Sequence, residues 1–395
     1  MLSLSVWYKI NKDFMRKERK DMDLTELRSQ IDEIDSSIVD LYEKRMDISR
    51  QVAEYKIENG KQVFDKAREE EKIRKVKSLT HNDFNSHGIE ELFEQIMSMS
   101  RKLQYQLLSE RGSLNKLPFI QVDQLETEKA RVVFQGAEGA YSQAAMHQYF
   151  GDRIDSFHVD TFRDAMIAID EGSADYAVLP IENSTAGIVS EIYDLLVEFE
   201  NYIVGEQIIK IEHCLMALPG TKLPDIKTVY SHPQSLMQSA RYLNTHPWQQ
   251  ISMQNNAFAA RKVAEEKDRT QAAIASEYAA KLYGLEILEK GVNQSSTNST
   301  RFIIVTNQKI FLKNARKVSI CFEVAHESGS LYHMLSHFIY NNLNMNRIES
   351  RPIEDRNWEY RFFIDFDGNL SDSAVKNALR GLRDEARNMK ILGNY

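Results

Sequence analysis

The hydrophobic pattern near the start of the chain predicts helices. From Leu24 to Tyr55, apolar residues recur at alternating three- and four-residue steps, which is the spacing of one long amphipathic helix. Such a sustained seam has more apolar surface than two short companion helices can cover. We therefore expect a homodimer, or a higher homo-oligomer, formed along this helix.

Cations interrupt or border this seam. Arg45 stands where the pattern requires an apolar side chain, Lys56 follows eleven residues later, and Arg28 borders the seam. An unpaired guanidinium in a core is costly, so Arg45 must meet a carboxylate of the protein or of a ligand. For a single arginine, solvent or acids such as Glu43 and Glu54 are the commoner partners. Three cations along one side favour an anionic ligand instead.

Two further helices supply polar groups. The charged run at 65–69 opens the second helix, and alone it is typical of an acidic cap followed by an exposed turn. The third helix has Ser100 and Gln104 on its apolar face, one turn apart. Inward-facing Arg, Lys, Ser and Gln are the groups that a small dianion requires.

Farther along, short apolar segments alternate with helical patterns. The predicted strands are 132–135, 176–179, 228–230, 272–275 and 302–305. This alternation predicts an α/β fold whose ligand crevice lies beyond the carboxyl ends of the strands. The loop at 136–142 contains two glycines, but it lacks the spacing of nucleotide-binding fingerprints, so we do not expect a nucleotide.

The last segment, from about residue 316, predicts the order strand, helix, strand, strand, helix, strand. We place its second helix at 372–389 and a short final strand at 391–392. This order is that of a ferredoxin-like α+β unit. Since no acid–base cluster stands out in it, binding is its expected role.

The composition narrows the functional classes. A chain of 395 residues is long enough for about two to four domains. The net charge of -8 gives no general attraction to nucleic acids or anionic membranes, and we find no apolar run of membrane-spanning length. Two cysteines cannot build a disulfide framework, so a reducing cytoplasm is the expected location. Residues 1–21 precede the first patterned helix and receive no assigned element.

Eight residues of the helical segment resemble, position by position, the active-site set of the all-helical chorismate mutases. They are Arg28, Arg45, Lys56, Asp65, Arg68, Glu69, Ser100 and Gln104. The resemblance implies an intertwined dimer in which Arg28 of one protomer and Arg45 of the other clamp the two carboxylates of chorismate. It also implies that Arg68 and Ser100 complete the pocket.

The same resemblance assigns the remaining contacts to chorismate. It implies that Lys56 and Gln104 donate to the ether oxygen, while Asp65 and Glu69 address the ring hydroxyl. A pericyclic rearrangement transfers no proton and uses no nucleophile, so positioning and electrostatic stabilisation suffice. No cofactor, metal or acid–base pair is expected.

Three motifs of the middle segment resemble prephenate dehydratase signatures, in the same order. They are the loop residues 180–185, the sequence 231–234 with Gln238, and 298–302. The resemblance implies that Thr300 assists loss of the ring hydroxyl of prephenate, that Asn183, Ser231 and Gln238 orient this substrate, and that Arg301 contacts a carboxylate. Singly, such residues are more often caps and turns.

The loop at 136–142 departs from the usual Gly-Pro-x-Gly-Ser-Tyr-Ser pattern, because Ala137 and Ala140 replace its proline and first serine while Ser142 is retained. This departure leaves an alternative open, namely a chorismate mutase whose second module binds prephenate or an aromatic amino acid without dehydrating it. A non-enzymatic, two-lobed binding protein is a third alternative, and it leaves Arg45 unexplained.

The last segment resembles the small ACT regulatory domains that bind amino acids at subunit interfaces. One matching motif is Glu349, Ser350, Arg351 and Pro352, and the other is Gly329, Ser330 and Leu331, where the family usually has Gly-Ala-Leu. The resemblance implies L-phenylalanine as a feedback inhibitor.

Taken together, the chain resembles the bifunctional chorismate mutase/prephenate dehydratases of phenylalanine biosynthesis. We expect three domains: an all-α chorismate mutase domain at 22–110, a two-lobed α/β dehydratase domain at 130–308 and a ferredoxin-like ACT domain at 316–395. The expected small-molecule partners are chorismate, prephenate and L-phenylalanine.

Overall fold

The computed structural model describes residues 23–110 and 117–395, apart from the side chains of Ser109 and Glu110. The chain divides into two compact units, Met1–Leu114 and Asn115–Tyr395. They are called the helical unit and the α/β unit below. In the described parts of both, no helix is both long enough and apolar enough to cross a membrane.

The helical unit contains three helices among its described residues: α1 Leu24–Glu58, α2 Lys66–Lys77 and α3 Asp83–Glu110. The long first helix of the sequence prediction is confirmed, with 35 residues, or about 50 Å of axis. Asp23 caps its start by accepting from the backbone N–H of Thr25 at 3.0 Å.

The apolar seam of α1 is exposed within one chain, whereas Ser49 and Ala53 are the buried residues of this helix. The exposed seam residues are Leu24, Ile31, Ile34, Ile38, Leu41, Ile48, Val52 and Tyr55. Exposed apolar residues in a contiguous row are typical of an interaction surface. The single chain leaves this one uncovered.

The α/β unit contains seventeen strands among residues 117–395. They are β1 Ile120–Val122, β2 Arg131–Gln135, β3 Asp155–Val159, β4 Tyr176–Asn183, β5 Gly187–Ile188, β6 Tyr202–Lys210, β7 Cys214–Ala217, β8 Thr228–Ser231, β9 Gln249–Ser252, β10 Gln271–Ala275, β11 Glu286–Lys290, β12 Ser299–Thr306, β13 Ile310–Leu312, β14 Lys317–Glu323, β15 Met345–Pro352, β16 Tyr360–Asp367 and β17 Arg387–Asn394. Its helices are α4 Tyr141–Phe150, α5 Phe162–Asp170, α6 Ser190–Glu198, α7 Pro233–Gln238, α8 Ala240–Leu243, α9 Asn256–Glu266, α10 Glu277–Tyr283, α11 Ser330–Tyr340 and α12 Ser373–Glu385.

Fifteen of these strands form the two larger sheets, which contribute two lobes that the chain visits in turn, and β1 pairs with β13 in a separate two-stranded sheet. The first lobe belongs to a large sheet with the order β15-β16-β14-β17-β6-β12-β4-β2-β3, and β5 pairs with β4. The second lobe is a five-stranded sheet with the order β11-β7-β10-β8-β9. The chain enters the second lobe after β6 and returns by β12, so the two lobes are joined by two crossings. The predicted α/β fold of the middle segment is confirmed.

One predicted loop is partly strand. The segment at 180–185 was expected to be a loop, but β4 continues to Asn183 and turns back into β5. The motif at 298–302 likewise lies mostly in β12, which pairs with β4 on one side and β6 on the other. These residues therefore sit on a rigid sheet.

The last segment forms β14-α11-β15-β16-α12-β17, and its strands lie in the order β17-β14-β16-β15. The sheet continues into the first lobe by one parallel bridge, between Gly393 and Ile203. A Cβ at residue 393 would lie 2.1 Å from the Ile203 carbonyl oxygen, so this approach requires glycine.

One predicted helix in this segment was too long. The helix expected at 372–389 ends at Glu385, and Arg387–Asn394 is strand β17. Arg387 and Lys390 pair with β14 instead of extending the helix. Pairing with a neighbouring strand has outweighed the helical preference of these residues.

Candidate functional sites

Arg45 lies in a polar niche between α1 and α3. Its Nη1 donates to Ser100 Oγ at 2.6 Å, and Ser49 Oγ donates to the same oxygen at 3.2 Å. Burial lowers the pKa of Arg45, and the nearby Tyr42 and Glu69 offset part of that effect. Within residues 23–110, Arg45 forms no ion pair, so its contacts with the protein leave its charge without a carboxylate partner.

Lys56 is a second inward cation, and like Arg45 it forms no ion pair among the described residues. Its Nζ donates to the Val63 carbonyl at 2.6 Å, which is a neutral acceptor. Burial lowers the pKa of Lys56, while Asp65 and Glu69 raise it. Glu69 acts electrostatically on both Lys56 and Arg45, so these three charges share one region of the helical unit.

Buried polar groups of α3 complete this region. Gln104 is buried, and its Oε1 has no hydrogen-bond partner among the described residues. Glu69 forms an ion pair with the buried Arg101, whose guanidinium also lies over the Phe64 ring. Sequence reasoning missed Arg101. The only available signal was a cation one position after Ser100, which a helical wheel places at the edge of the apolar face.

Three predicted site residues lie outside the niche when one chain is considered by itself. Arg68 is exposed and forms an ion pair with Glu71 at 2.8 Å, while Asp65 caps α2 by accepting from the Arg68 backbone at 3.1 Å. Arg28 is exposed and lies 17 residues before Arg45 on the same helix, about 25 Å along the axis. It cannot reach the niche of its own chain.

The α/β unit has a cavity of about 300 Å³ between its two lobes. Thr300 and Asn183 line it from the first lobe, and His232 and Ser276 line it from the second. It lies at the carboxyl ends of β2, β8 and β10, where the sequence predicts a crevice. Among the described lining residues there is no Lys, Arg, Asp or Glu.

Thr300 and Asn183 are paired across β12 and β4. Asn183 Nδ2 donates to Thr300 Oγ1 at 2.9 Å and to Asn298 Oδ1 at 2.9 Å. The Asn183 Oδ1 accepts from the backbone N–H groups of Thr185 and Ala186. Both polar atoms of the Asn183 amide are therefore hydrogen-bonded to the protein. The Thr300 hydroxyl oxygen accepts one of these bonds, and its own proton stays available to the cavity.

Gln238 is held in the same network by all of its polar atoms. Its Oε1 accepts from Asn298 Nδ2 at 3.2 Å and lies 3.0 Å from His213 Nε2, while its Nε2 donates to Thr185 Oγ1 at 2.7 Å. The network connects α7 of the second lobe with the turn after β4 in the first lobe. A hydrogen-bonded bridge thus crosses the floor of the cavity.

His213 and Tyr141 belong to this site although sequence reasoning did not select them. The Tyr141 hydroxyl lies 3.1 Å from His213 Nδ1. Burial lowers the pKa of His213, against a smaller opposing effect of the Gln238 hydrogen bond, so the imidazole is neutral near pH 7. The sequence offered one signal, a lone histidine directly before the buried strand β7.

Two predicted site residues lie elsewhere. Ser231 is fully buried, and its Oγ contacts the Ile274 carbonyl at 2.6 Å and Asn256 Oδ1 at 2.9 Å, which ties β8 to β10. Arg301 is absent from the cavity lining and contacts three protein carboxylates instead. Neither side chain is placed to orient a ligand in this cavity, because each is occupied by the protein.

The altered glycine loop forms one wall of the cavity. Gly136, Ala140 and Ser142 line it, and Ser142 Oγ donates to the Gln135 carbonyl at 2.7 Å, which fixes the turn. Ala140 is the N-cap of α4 and makes no side-chain cap. The first residues of α4 and α9 both line the cavity, so the positive ends of two helix dipoles border it.

A second cavity, of about 350 Å³, lies in the last segment. Ser330 and Leu331 line it together with Trp358 and Tyr360. The predicted residues 349–352 are absent from the described lining, and Arg351 forms an ion pair with Asp194 of α6 at 2.6 Å. Two residues of one predicted effector motif therefore border this cavity, while Arg351 of the other contacts the first lobe.

Together, the fold and the two sites define a multidomain enzyme with a niche among helices that contains inward-facing cations and a crevice without charged lining residues, among those described, between two α/β lobes. The chorismate mutase type II family model matches residues 27–105, and the prephenate dehydratase family model matches residues 132–310. A bifunctional chorismate mutase/prephenate dehydratase of Escherichia coli K12 is 33% identical over 379 residues, covering 94% of this chain and 96% of that protein. The chain belongs to this bifunctional family.

Solved structures resemble the α/β unit. A prephenate dehydratase from Arthrobacter aurescens in complex with L-Phe is 29% identical, with a TM-score of 0.63, over 67% of this chain and 89% of that one. A protein described as GqqA, a novel type of quorum quenching acylase, is 32% identical, with a TM-score of 0.62, over 67% of this chain and 97% of that one. The same fold is therefore associated with two described activities.

Proposed function

We propose that the chain converts chorismate to prephenate in the helical unit and prephenate to phenylpyruvate in the α/β unit, for phenylalanine biosynthesis. The observation that carries the proposal is the presence of two inward cations, Arg45 and Lys56, that form no direct ion pair among the described residues. Residues 22–110 would form the mutase domain, 130–308 the dehydratase domain and 316–395 the ACT domain.

In the mutase reaction, the protein selects the folded conformer of a dianion and stabilises charge on the breaking ether bond. Arg45 is suited to a carboxylate because its protein contacts leave its charge unneutralised. Lys56 and Gln104 are suited to the ether oxygen, since Lys56 is bound to one neutral acceptor and the Gln104 side chain is buried with an unpaired oxygen. Preorganised donors of this kind are the main source of such catalysis.

The mutase site would be completed by a second copy of the chain. Arg28 lies too far along α1 to join the Arg45 of its own chain, and the seam of α1 is exposed. Pairing of two seams covers the apolar row and brings Arg28 of the partner subunit within reach of the other protomer's niche. Asp65, Glu69 and Ser100 then enclose the substrate, with Arg68 at the rim.

In the dehydratase reaction, prephenate loses carbon dioxide and hydroxide together because the product ring is aromatic. One well-placed donor to the departing hydroxyl can therefore suffice. Thr300 supplies it, because Asn183 holds the Thr300 oxygen and leaves its proton free. Gln238 and Asn183 fix the floor of the cavity, and the helix N-termini stabilise the substrate carboxylates.

The last segment would bind L-phenylalanine as a feedback inhibitor. The L-Phe complex of a related dehydratase supports this assignment, and the cavity beside Ser330 and Leu331 offers a partly open space in this segment. Gly329 begins α11 with φ +80°, a conformation that favours glycine. For inhibition, phenylalanine must bind the less active arrangement more tightly.

An acylase activity is the second candidate for the α/β unit, because one related structure carries that description. Acyl transfer through a covalent intermediate needs a nucleophile beside a base. Among the described lining residues, no serine, threonine or cysteine is hydrogen-bonded to His213 or His232, whose side-chain partners are Tyr141, Gln238 and backbone. The cavity thus favours dehydration.

One assay separates these functions. Chorismate is supplied to the full chain, and prephenate and phenylpyruvate are followed together, with an N-acylated amine as a parallel substrate. Both products in sequence support the proposal. Prephenate without phenylpyruvate would leave the mutase alone, and cleavage of the acyl amide would favour the acylase.

Titration with phenylalanine, following rate and molecular size, tests the effector site and the dimer.

A further inference from the structure

Arg301 is surrounded by acids rather than by the cavity. Its guanidinium lies 3.2 Å from Asp365, 3.4 Å from Glu206 and 3.4 Å from Glu182, and its side chain is only 13% exposed. Burial opposes its charge, yet Tyr395, Asp365 and the other surrounding groups hold the pKa of Arg301 above its ordinary value. The residue is therefore a permanent cation with protein partners.

The strands connect this cation directly with the dehydratase site. Thr300 lies opposite Asn183 in the β4–β12 ladder, and Arg301 lies opposite Glu182 in the next pair. Because side chains alternate across a strand, one pair faces the cavity and the adjacent pair faces away from it. The hydroxyl and the amide of the site are each one residue from an ion-paired side chain.

The other ion partners come from the last segment. Arg347 of β15 donates to Glu182 Oε2 at 3.0 Å, and Asp365 of β16 accepts from Arg301. Three strands of the last segment take part, since β14 adds a lysine that bonds Glu206 at 2.5 Å. This ion cluster comprises Glu182, Glu206, Arg301, Lys317, Arg347 and Asp365.

We propose that the ion cluster transmits the state of the last segment to Thr300 and Asn183, with Arg301 and Glu182 as positioning residues. Partly buried charges are costly to separate, so a shift of β15 and β16 carries Glu182 and Arg301 with it. Their strand neighbours then move, which changes the hydrogen bond that prepares the Thr300 proton. The inference rests on the proposed dehydratase and effector functions.

The test removes the Arg347 guanidinium while sparing the site. Arg347→Met keeps the aliphatic stem but loses the contact over the Tyr193 ring and the link to Glu182, which is 39% exposed and is not stranded in the core. We expect prephenate dehydration without effector to persist, phenylalanine binding to be retained in equilibrium dialysis, and the inhibition constant to rise about tenfold or more. Glu182→Gln should likewise raise the inhibition constant, and the double variant should raise it no further than either single change does.

The matched control is another ion pair across the same boundary. Lys390 of β17 lies 3.3 Å from Glu200, just before β6. Tyr202 of β6 pairs with Thr306, six residues from Thr300, or about 20 Å along β12. Lys390→Met should therefore leave inhibition unchanged.

The outcomes separate the claims. Normal inhibition of both Arg347→Met and Glu182→Gln would overturn the inference while leaving the proposed function intact. Equal loss of inhibition in Lys390→Met would overturn it as well, since coupling would then be spread over the whole boundary. A wild-type enzyme that dehydrates prephenate but neither binds phenylalanine nor responds to it would refute the effector assignment together with this inference.

Discussion

The two sites are proposed to handle the same dianion with different electrostatics, one with charged side chains and the other without them. Prephenate leaves the helical niche, where Arg45 and Lys56 are unneutralised, and enters a cavity with no charged side chain in its described lining. In the first reaction charge develops on an ether oxygen, so cations lower the barrier. In the second, one carboxylate departs as carbon dioxide, and a cation fixed on it would stabilise the ground state. The chemistry therefore accounts for the difference.

The largest expected effect is on the cationic site. Arg45→Ala should lower chorismate mutase turnover by about a thousandfold, because it removes a preorganised charge, and should spare dehydration of added prephenate. Arg50, an exposed arginine on the same helix, is the matched control, and Arg50→Ala should keep both activities. Rates with each substrate supplied separately provide the measurement. Loss of both activities in folded Arg45→Ala would show that the sites are not independent.

The next effect concerns the uncharged site. Thr300→Val retains the side-chain shape but removes the proton donor, and prephenate dehydration should fall about a hundredfold with the mutase unchanged. Thr306→Val is the control, since Thr306 is buried on the same strand and its hydroxyl has no partner among the described residues. A Thr300→Val enzyme with wild-type turnover would remove Thr300 from the mechanism.

A smaller effect should follow from adding a cation to the cavity. Gln234 lines it, and Gln234→Lys should lower both KM and kcat for prephenate about tenfold, because ground-state binding improves without help to the transition state. Gln234→Met is the control, because it changes the side chain at this position without adding a charge. If Gln234→Lys raised kcat, the contrast between the two sites would lose its chemical explanation.

The helical niche was readable from the sequence because helical periodicity specifies which way a side chain points. Arg45 breaks the apolar repeat, and the structure places it beside Ser100, as that pattern indicates. Gln104 was predicted by the same reasoning, because it is a polar residue on the apolar face of its helix. The pattern also marked Arg28 as a cation beside the seam, but periodicity within one helix could not bring Arg28 to Arg45, and only the family resemblance implied a role across two chains.

The α/β site was less predictable because its residues face different sides of short strands. Motifs identified Thr300 and Asn183, but they also selected Arg301 and Ser231, which point to protein partners. His213 carries no motif, and its contacts with distant parts of the chain exist only in the folded lobe. Periodicity carries no information about such long-range contacts.

Because the seam of α1 is uncovered in one chain, dilution of the enzyme should affect the rates of the two proposed reactions differently. The mutase niche, as proposed, takes Arg28 from another chain and so assembles by a second-order step, whereas the described lining of the crevice between the lobes comes from one polypeptide. On lowering the amount of enzyme, specific mutase turnover declines first, and a preparation assayed too dilute resembles a dehydratase alone.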